Sequence, residues 1–131
     1  MLAFNYQSRV NRLRFLYKMH EIAIVESIID IITAEMKKHN MTKAETIKLR
    51  IGEMSHVMPD ALTFSFDVSS KGTQLEGAKL IIETVATKGR CKGCGTEFTI
   101  KDIFDICPEC NGIRYDIISG KELEITEFDG S

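Results

Sequence analysis

The stretch "CKGCGTEFTIKDIFDICPEC", Cys91 to Cys110, decides how the chain is divided. Its two C-x-x-C pairs, twelve residues apart, contain all four cysteines of the 131-residue sequence. Each pair makes a tight turn that aims two sulfurs at one point, and two such pairs make one four-ligand site. Four thiolates in a tetrahedron suit Zn2+, so Cys91, Cys94, Cys107 and Cys110 are assigned as the ligands of a structural zinc. Four protein ligands leave no open coordination position for catalysis. Gly93, Gly95 and Gly112 stand where the backbone must turn sharply. The spacer "EFTIKDIFDI" has the β-branched and aromatic content of a hairpin. A lobe from Lys88 to Ile118 falls short of the ~40 residues at which an apolar core usually suffices alone, so the metal must supply much of its stability. A redox dithiol pair is the rival reading, but Cys91 lacks the strand-helix-strand surroundings of a thioredoxin-like motif.

Outside the cysteine segment the chain reads as helix, strand, helix, strand on one side and a single strand on the other. From His20, the apolar positions Ile22, Val25, Ile28, Ile29, Ile32 and Met36 recur at helical steps. Lys37, Lys38 and His39 put positive charge in the last turn, and Asn40 is the stop. "TIKLRIGEM" alternates Ile47, Leu49 and Ile51 with Lys48 and Arg50, a half-buried strand. Pro59 opens a second helix carrying Leu62, Phe66 and Val68, which ends at Lys71-Gly72. Ala78–Thr87 is a strand whose continuous apolar centre points to a central place in the sheet. Leu123 and Ile125 alternate with charge in "KELEITEF" as the closing strand. The fold class is therefore α+β. Residues 19–87 and 119–131 form a small mixed three-stranded sheet with two helices, and 88–118 form an inserted zinc-ribbon lobe. Residues 1–18 are expected to be a leader, disordered or preceding a true start at Met19.

Composition narrows the function. Hydrophobic residues at 44% and charged residues at 27% are ordinary for one globular domain with a small appendage. No apolar run approaches the ~18 residues that would cross a membrane. Residues 1–18 carry Arg9, Arg12, Arg14 and Lys18 with no acid, which leaves 13 basic against 19 acidic residues from Met19 onward. An acidic body argues against a phosphate-backbone binder, and Lys101 has Asp102 and Asp105 as neighbours. A zinc-ribbon nucleic-acid or protein-interaction module is kept as the alternative function. Paired cysteines without a secretory signal indicate a reducing, cytoplasmic setting. No nucleophile elbow, phosphate-cradling glycine loop or H-E-x-x-H motif marks an enzyme. His39 beside Lys37 and Lys38, and His56 in "GEMSHVMPD", are read as surface groups, as are Glu53 and Asp60.

Met-His-Glu at Met19 to Glu21, "LRIGEM", "PDALTFSFDV", "GTQLEGAKLIIE", both C-x-x-C pairs and the final "GKELEITEF" occur in an order that resembles the HypA/HybF family of hydrogenase-maturation nickel metallochaperones. The resemblance runs from Met19 to about Asp129. It implies a carrier of Ni2+ as transient cargo for the large subunit of a [NiFe]-hydrogenase or its maturation complex. A HypB-type GTPase is the implied partner, His20 the nickel histidine, and the four cysteines the ligands of structural Zn2+. The chemistry of the segment fits. A free α-amine has a pKa near ~8, so it loses its proton far more readily than lysine does. The Met19 amine, the backbone amides of His20 and Glu21 and the His20 imidazole lie within chelating reach, a flat nitrogen-rich set of the kind Ni2+ prefers. The Met19 amine exists only in a chain that starts there.

Overall fold

The computed structural model describes residues 21–102 and 104–131, together with the backbone of Phe4–Tyr6. The elements in order are β1 (Phe4–Tyr6), α1 (Glu21–Lys38), β2 (Ala44–Gly52), a 3-10 turn (Glu53–Ser55), α2 (Pro59–Ser69), β3 (Lys79–Val85), β4 (Lys88–Cys91), β5 (Glu97–Thr99), β6 (Tyr115–Ser119) and β7 (Leu123–Gly130). One sheet has the order β1-β7-β2-β3 and the other β5-β4-β6.

Helix α1 buries Ile24, Val25, Ile28, Ile32 and Met36. It ends where Asn40 takes a left-handed backbone (φ 55°), a conformation asparagine tolerates better than most residues. Ile22 keeps the helical period but is 59% exposed, because it lies one turn beyond the sheet-facing stripe. In α2, Leu62 and Phe66 enter the core while Val68 faces solvent. The two helices pack on one face of the sheet over Ile47, Leu49, Ile51, Leu123, Ile125 and Phe128. Its other face is polar and laced across strands by Lys48–Glu127, by Arg50–Glu124 at 3.2 Å and by Arg50–Glu83 at 3.5 Å.

The expected mixed sheet is formed by β7, β2 and β3, with β2 parallel to β3 and antiparallel to β7. A fourth strand, β1, pairs Phe4–Tyr6 antiparallel with Phe128 to Gly130. The Ala78–Thr87 strand is not central. β3 is an edge, and Ile81 in the middle of its apolar run is 40% exposed while Leu80 and Ile82 pack against the core. Three consecutive apolar residues in a strand alternate faces like any others, so the run does not require cover on both.

Two irregularities adjust the register. Between Lys48↔Glu127 and Leu49↔Ile125 the β7 strand carries one extra residue, Thr126, whose hydroxyl reaches the Lys48 carbonyl at 3.3 Å. The bulge flips the parity of β7, so Ile125 and Phe128, three apart, both face the core. Glu45 does the same for Ala44 and Ile47 in β2.

The cysteine lobe leaves the sheet after β3 and returns just before β7. Ser119 Oγ donates to the Ala86 carbonyl at 2.8 Å, and the Ile100 N–H to the Thr87 carbonyl at 2.8 Å. At this root Gly52 packs directly against the Gly120 backbone, leaving no space for a Cβ. Among the described residues the expected hairpin within the Cys94–Cys107 spacer is absent. Glu97–Thr99 instead pairs back across the first cysteine turn with Lys88 to Arg90, and β4 pairs on its other side with β6. The spacer cannot fold on itself because its first strand residues complete this three-stranded sheet.

Candidate metal centres

Cys91 closes β4, where pairing of Arg90 with Asp116 and Cys91 with Tyr115 fixes its position. The two cysteine turns repeat one hydrogen-bond frame. The Cys91 N–H donates to the Thr96 carbonyl and the Gly95 N–H to the Cys91 carbonyl, both at 2.9 Å. In the second turn the Cys107 N–H donates to the Gly112 carbonyl at 3.0 Å and the Asn111 N–H to the Cys107 carbonyl at 2.9 Å. The residue after each second cysteine is left-handed, Gly95 at φ 78° and Asn111 at φ 59°. Gly93 and Gly112 have ordinary backbone and leave room beside the Cys91 and Cys110 sulfurs.

All four Sγ atoms lie within 4.8 Å of one another. Cys91 to Cys110 is 3.4 Å and Cys94 to Cys107 is 3.5 Å. A tetrahedron with metal–sulfur bonds of ~2.3 Å has edges of ~3.8 Å, so this cluster fits zinc after small adjustments. Cys91 and Cys107 are buried and Cys94 and Cys110 exposed, giving the site one solvent-facing side.

Donors around the sulfurs bias their charge. The Thr96 hydroxyl, 3.2 Å from Cys94 Sγ, and the Thr96 N–H bring the Cys94 thiol down to about 6. The backbone N–H groups of Cys94 and Gly93 lower Cys91. The Gly112 N–H pulls Cys110 down, but the Cys91 and Cys94 sulfurs and burial outweigh it and push this thiol up to about 12. These contacts favour the thiolate at Cys94 and Cys91 over Cys110, and any thiol still protonated must shed its proton to bind a metal. Thr96 and Asn111 were not singled out from the sequence. The signal for both was their place within two residues of the second cysteine of a pair.

Charges on the lobe balance, with Lys88, Arg90, Lys92, Lys101 and Arg114 against Glu97, Asp102, Asp105, Glu109 and Asp116. Arg90 pairs with Glu97 and Lys92 with Asp116, each at 3.5 Å. Of the Met19 to Glu21 segment, Glu21 is the first residue of α1, while Met19 and His20 lie outside the described residues. His39 sits at the other end of α1, with Nε2 4.0 Å from Glu35. His56 is exposed at φ 59° directly after the 3-10 turn. No helix among the described residues is long and apolar enough to cross a membrane.

A helix-covered mixed sheet with an inserted four-cysteine ribbon defines a small α+β protein built around a metal-binding lobe. The chain belongs to the HypA family: residues 19–130 match the family model for hydrogenase/urease nickel incorporation, metallochaperone HypA. It is 40% identical over 111 residues to the hydrogenase maturation factor HypA of Geotalea uraniireducens, covering 85% of this chain and 98% of that one. The corresponding factor of Trichodesmium erythraeum is 43% identical over 111 residues, with coverage of 85% and 95%. A solution structure of HypA protein superposes with a TM-score of 0.67 at 23% identity, over 87% of this chain and 98% of that chain. The solution structure of the Ni metallochaperone HypA from Helicobacter pylori gives 0.59 at 23% identity, over 86% and 97%. At that identity the likeness is one of fold.

Proposed function

We propose that this chain is a nickel carrier for [NiFe]-hydrogenase maturation, not an enzyme. It holds Ni2+ through the His20 imidazole and backbone nitrogens of Met19 to Glu21, and a structural Zn2+ in Cys91, Cys94, Cys107 and Cys110. The observation that carries the reading is where the family match begins. It starts at Met19, so Met-His-Glu leads directly into α1 at Glu21. A small nitrogen-rich chelate suits a protein that must release its cargo, and it binds only when its nitrogens are unprotonated. Zinc, when bound, joins the two cysteine turns and holds the lobe in shape.

The partners are a HypB-type GTPase and the hydrogenase large subunit or its maturation complex, in the cytoplasm. The balanced, paired charge of the lobe supports a reading without nucleic acid. In a chain read from Met1 the Met19 nitrogen is an amide, which removes the amine from the ligand set.

Nickel titration of zinc-loaded protein beginning at Met1 and at Met19 tests the assignment. Protein beginning at Met19 should take one Ni2+ per chain, and His20→Ala should abolish this without loss of fold or zinc. Stoichiometric nickel retained by His20→Ala refutes the site.

A further inference from the structure

Strand β3 is an edge of the larger sheet that the reading above leaves unused. Among the described residues its hydrogen-bonded neighbour is β2 alone, so one side of its backbone, from Lys79 to Val85, faces no strand. Gly77, left-handed at φ 80°, turns the chain just before it, and the lobe root follows it at Ala86 and Thr87. Its residues divide between the two faces of the sheet. Leu80 and Ile82 pack against the core without being fully covered. Lys79, Ile81 and Glu83 stand on the polar face, all exposed, with Ile81 at 40%. An apolar residue between two charges stands out on a face otherwise laced by Lys48–Glu127 and Arg50–Glu124. An edge with open backbone groups accepts another strand unless its side chains oppose the pairing.

The side chains select what fits. In an antiparallel pair, directly opposite residues share a face. Two copies related by a two-fold axis normal to the sheet can therefore pair only about a residue, not between two. Centring on Leu80 sets Lys79 against Ile81 and Glu83 against Gly77. Centring on Ile82 sets Ile81 against Glu83 and Lys79 against Val85. Centring on Ile81 satisfies every position. Lys79 then faces Glu83 of the second copy, twice, Ile81 faces Ile81, and Leu80 faces Ile82, twice. Opposite charges and apolar pairs directly across strands both stabilise a sheet, and no like charges meet.

We propose that β3 is a self-complementary docking edge for a second copy of this chain, pairing antiparallel about Ile81 to join the two sheets into one. The contact covers the exposed Ile81 and the open sides of Leu80 and Ile82. Lys79, which has no ion-pair partner among the described residues, gains one. Glu83 shares its carboxylate between Arg50, 3.5 Å away, and the incoming lysine. About five residues a side is well below the ~20–30 of a standard interface, so the dimer is weak and concentration-dependent. Antiparallel pairing carries the two Val85 ends, and the lobes that follow them, away from each other, so the cysteine centres take no part.

Sedimentation equilibrium on full-length, zinc-loaded protein at up to about 1 mM reads the association. The parent should show a monomer–dimer equilibrium. Lys79→Glu sets acid against acid twice and Glu83→Lys sets base against base twice, so either variant alone should associate at least about tenfold more weakly. Mixed one to one, the two variants should recover the parent's dimerisation, because each offers the charge that the other lacks. The chain carrying both changes should do the same by itself. Unchanged zinc content and far-ultraviolet circular dichroism establish that each variant is folded. A parent that stays monomeric throughout this range overturns the proposal, as do single variants that associate within about twofold of it. A mixture no tighter than its components overturns it too, by placing any dimer on another surface.

Discussion

Stripping the metal from the cysteine centre should unfold the lobe and leave the helix-covered sheet standing. Within residues 88–118 the buried side chains among those described are Cys91, Ile100 and Cys107, two of them ligands. Full burial of one aliphatic side chain such as Ile100 contributes about 1.5–3 kcal/mol. The edge-to-face contact of Phe98 and Tyr115, at 5.4 Å between centroids, adds about 0.5–1.5 kcal/mol. Structural zinc in comparable peptides supplies about 10–16 kcal/mol, several times both together. The main domain has seventeen buried apolar residues in one cluster and draws on none of this. Hydrogen exchange reads the difference directly. In zinc-loaded protein the amides of Cys91, Gly95, Ile100, Cys107 and Asn111 should be protected, since each donates within the lobe or at its root. Losing even half of the lower figure should cut their protection more than about a thousandfold, at 1.4 kcal/mol per decade. Amides of β2 and α1 should change little. Protein shown by metal analysis to be zinc-free, yet protecting the lobe amides within about tenfold, would refute the reasoning. Simultaneous loss in β2 would refute the separation of the two cores.

Three further substitutions probe the frame. Phe66→Ala removes a fully buried ring from the helix–sheet core and should cost about 3–5 kcal/mol, read as a lower urea midpoint with zinc stoichiometry unchanged. Gly52→Ala drives a methyl into the Gly120 backbone and should destabilise by about 1–3 kcal/mol, with the lobe-root amides of Met54 and Gly52 losing protection first. Cys94→Ser should abolish stoichiometric zinc and reproduce the exchange pattern of the stripped protein, since it removes a thiolate within 4.8 Å of the other three.

Much of this architecture was legible because each element announces itself locally. The 3.6-residue period of α1, the alternation of β2 and the doubled C-x-x-C need no partner to be recognised. What stayed hidden depends on the partner. Phe128 breaks the alternation that Leu123 and Ile125 establish, and only the Thr126 bulge, defined by the facing strand, returns it to the core. β3 looked central because Leu80, Ile81 and Ile82 are all apolar, yet a sheet covered on one face leaves Ile81 outside. Glu97–Thr99 resembled half of a hairpin within its spacer, but its partner lies upstream in β4. The four sulfurs of the candidate zinc site were readable from spacing, whereas Thr96 and Asn111 shape it through a hydroxyl and a backbone angle that no motif records. His56 read as a surface group, and it is exposed directly after the 3-10 turn.

The buried core of the sheet includes no residue of the lobe, yet the two are positionally joined. Two backbone hydrogen bonds, from Gly52 and Met54 to Glu122 and Gly120, cross from the 3-10 turn to the lobe root. At about 0.5–1.5 kcal/mol each, they cannot hold the lobe folded without its metal or unfold the sheet when it is lost. They are sufficient to set direction, because the close packing of Gly52 on Gly120 permits little sliding at this point. Loss of zinc should therefore act on the Met54 to Met58 segment through its placement at the lobe root, not through stability of the core. For the nickel carrier proposed above, such a division would let cargo be loaded and emptied without strain on the fold.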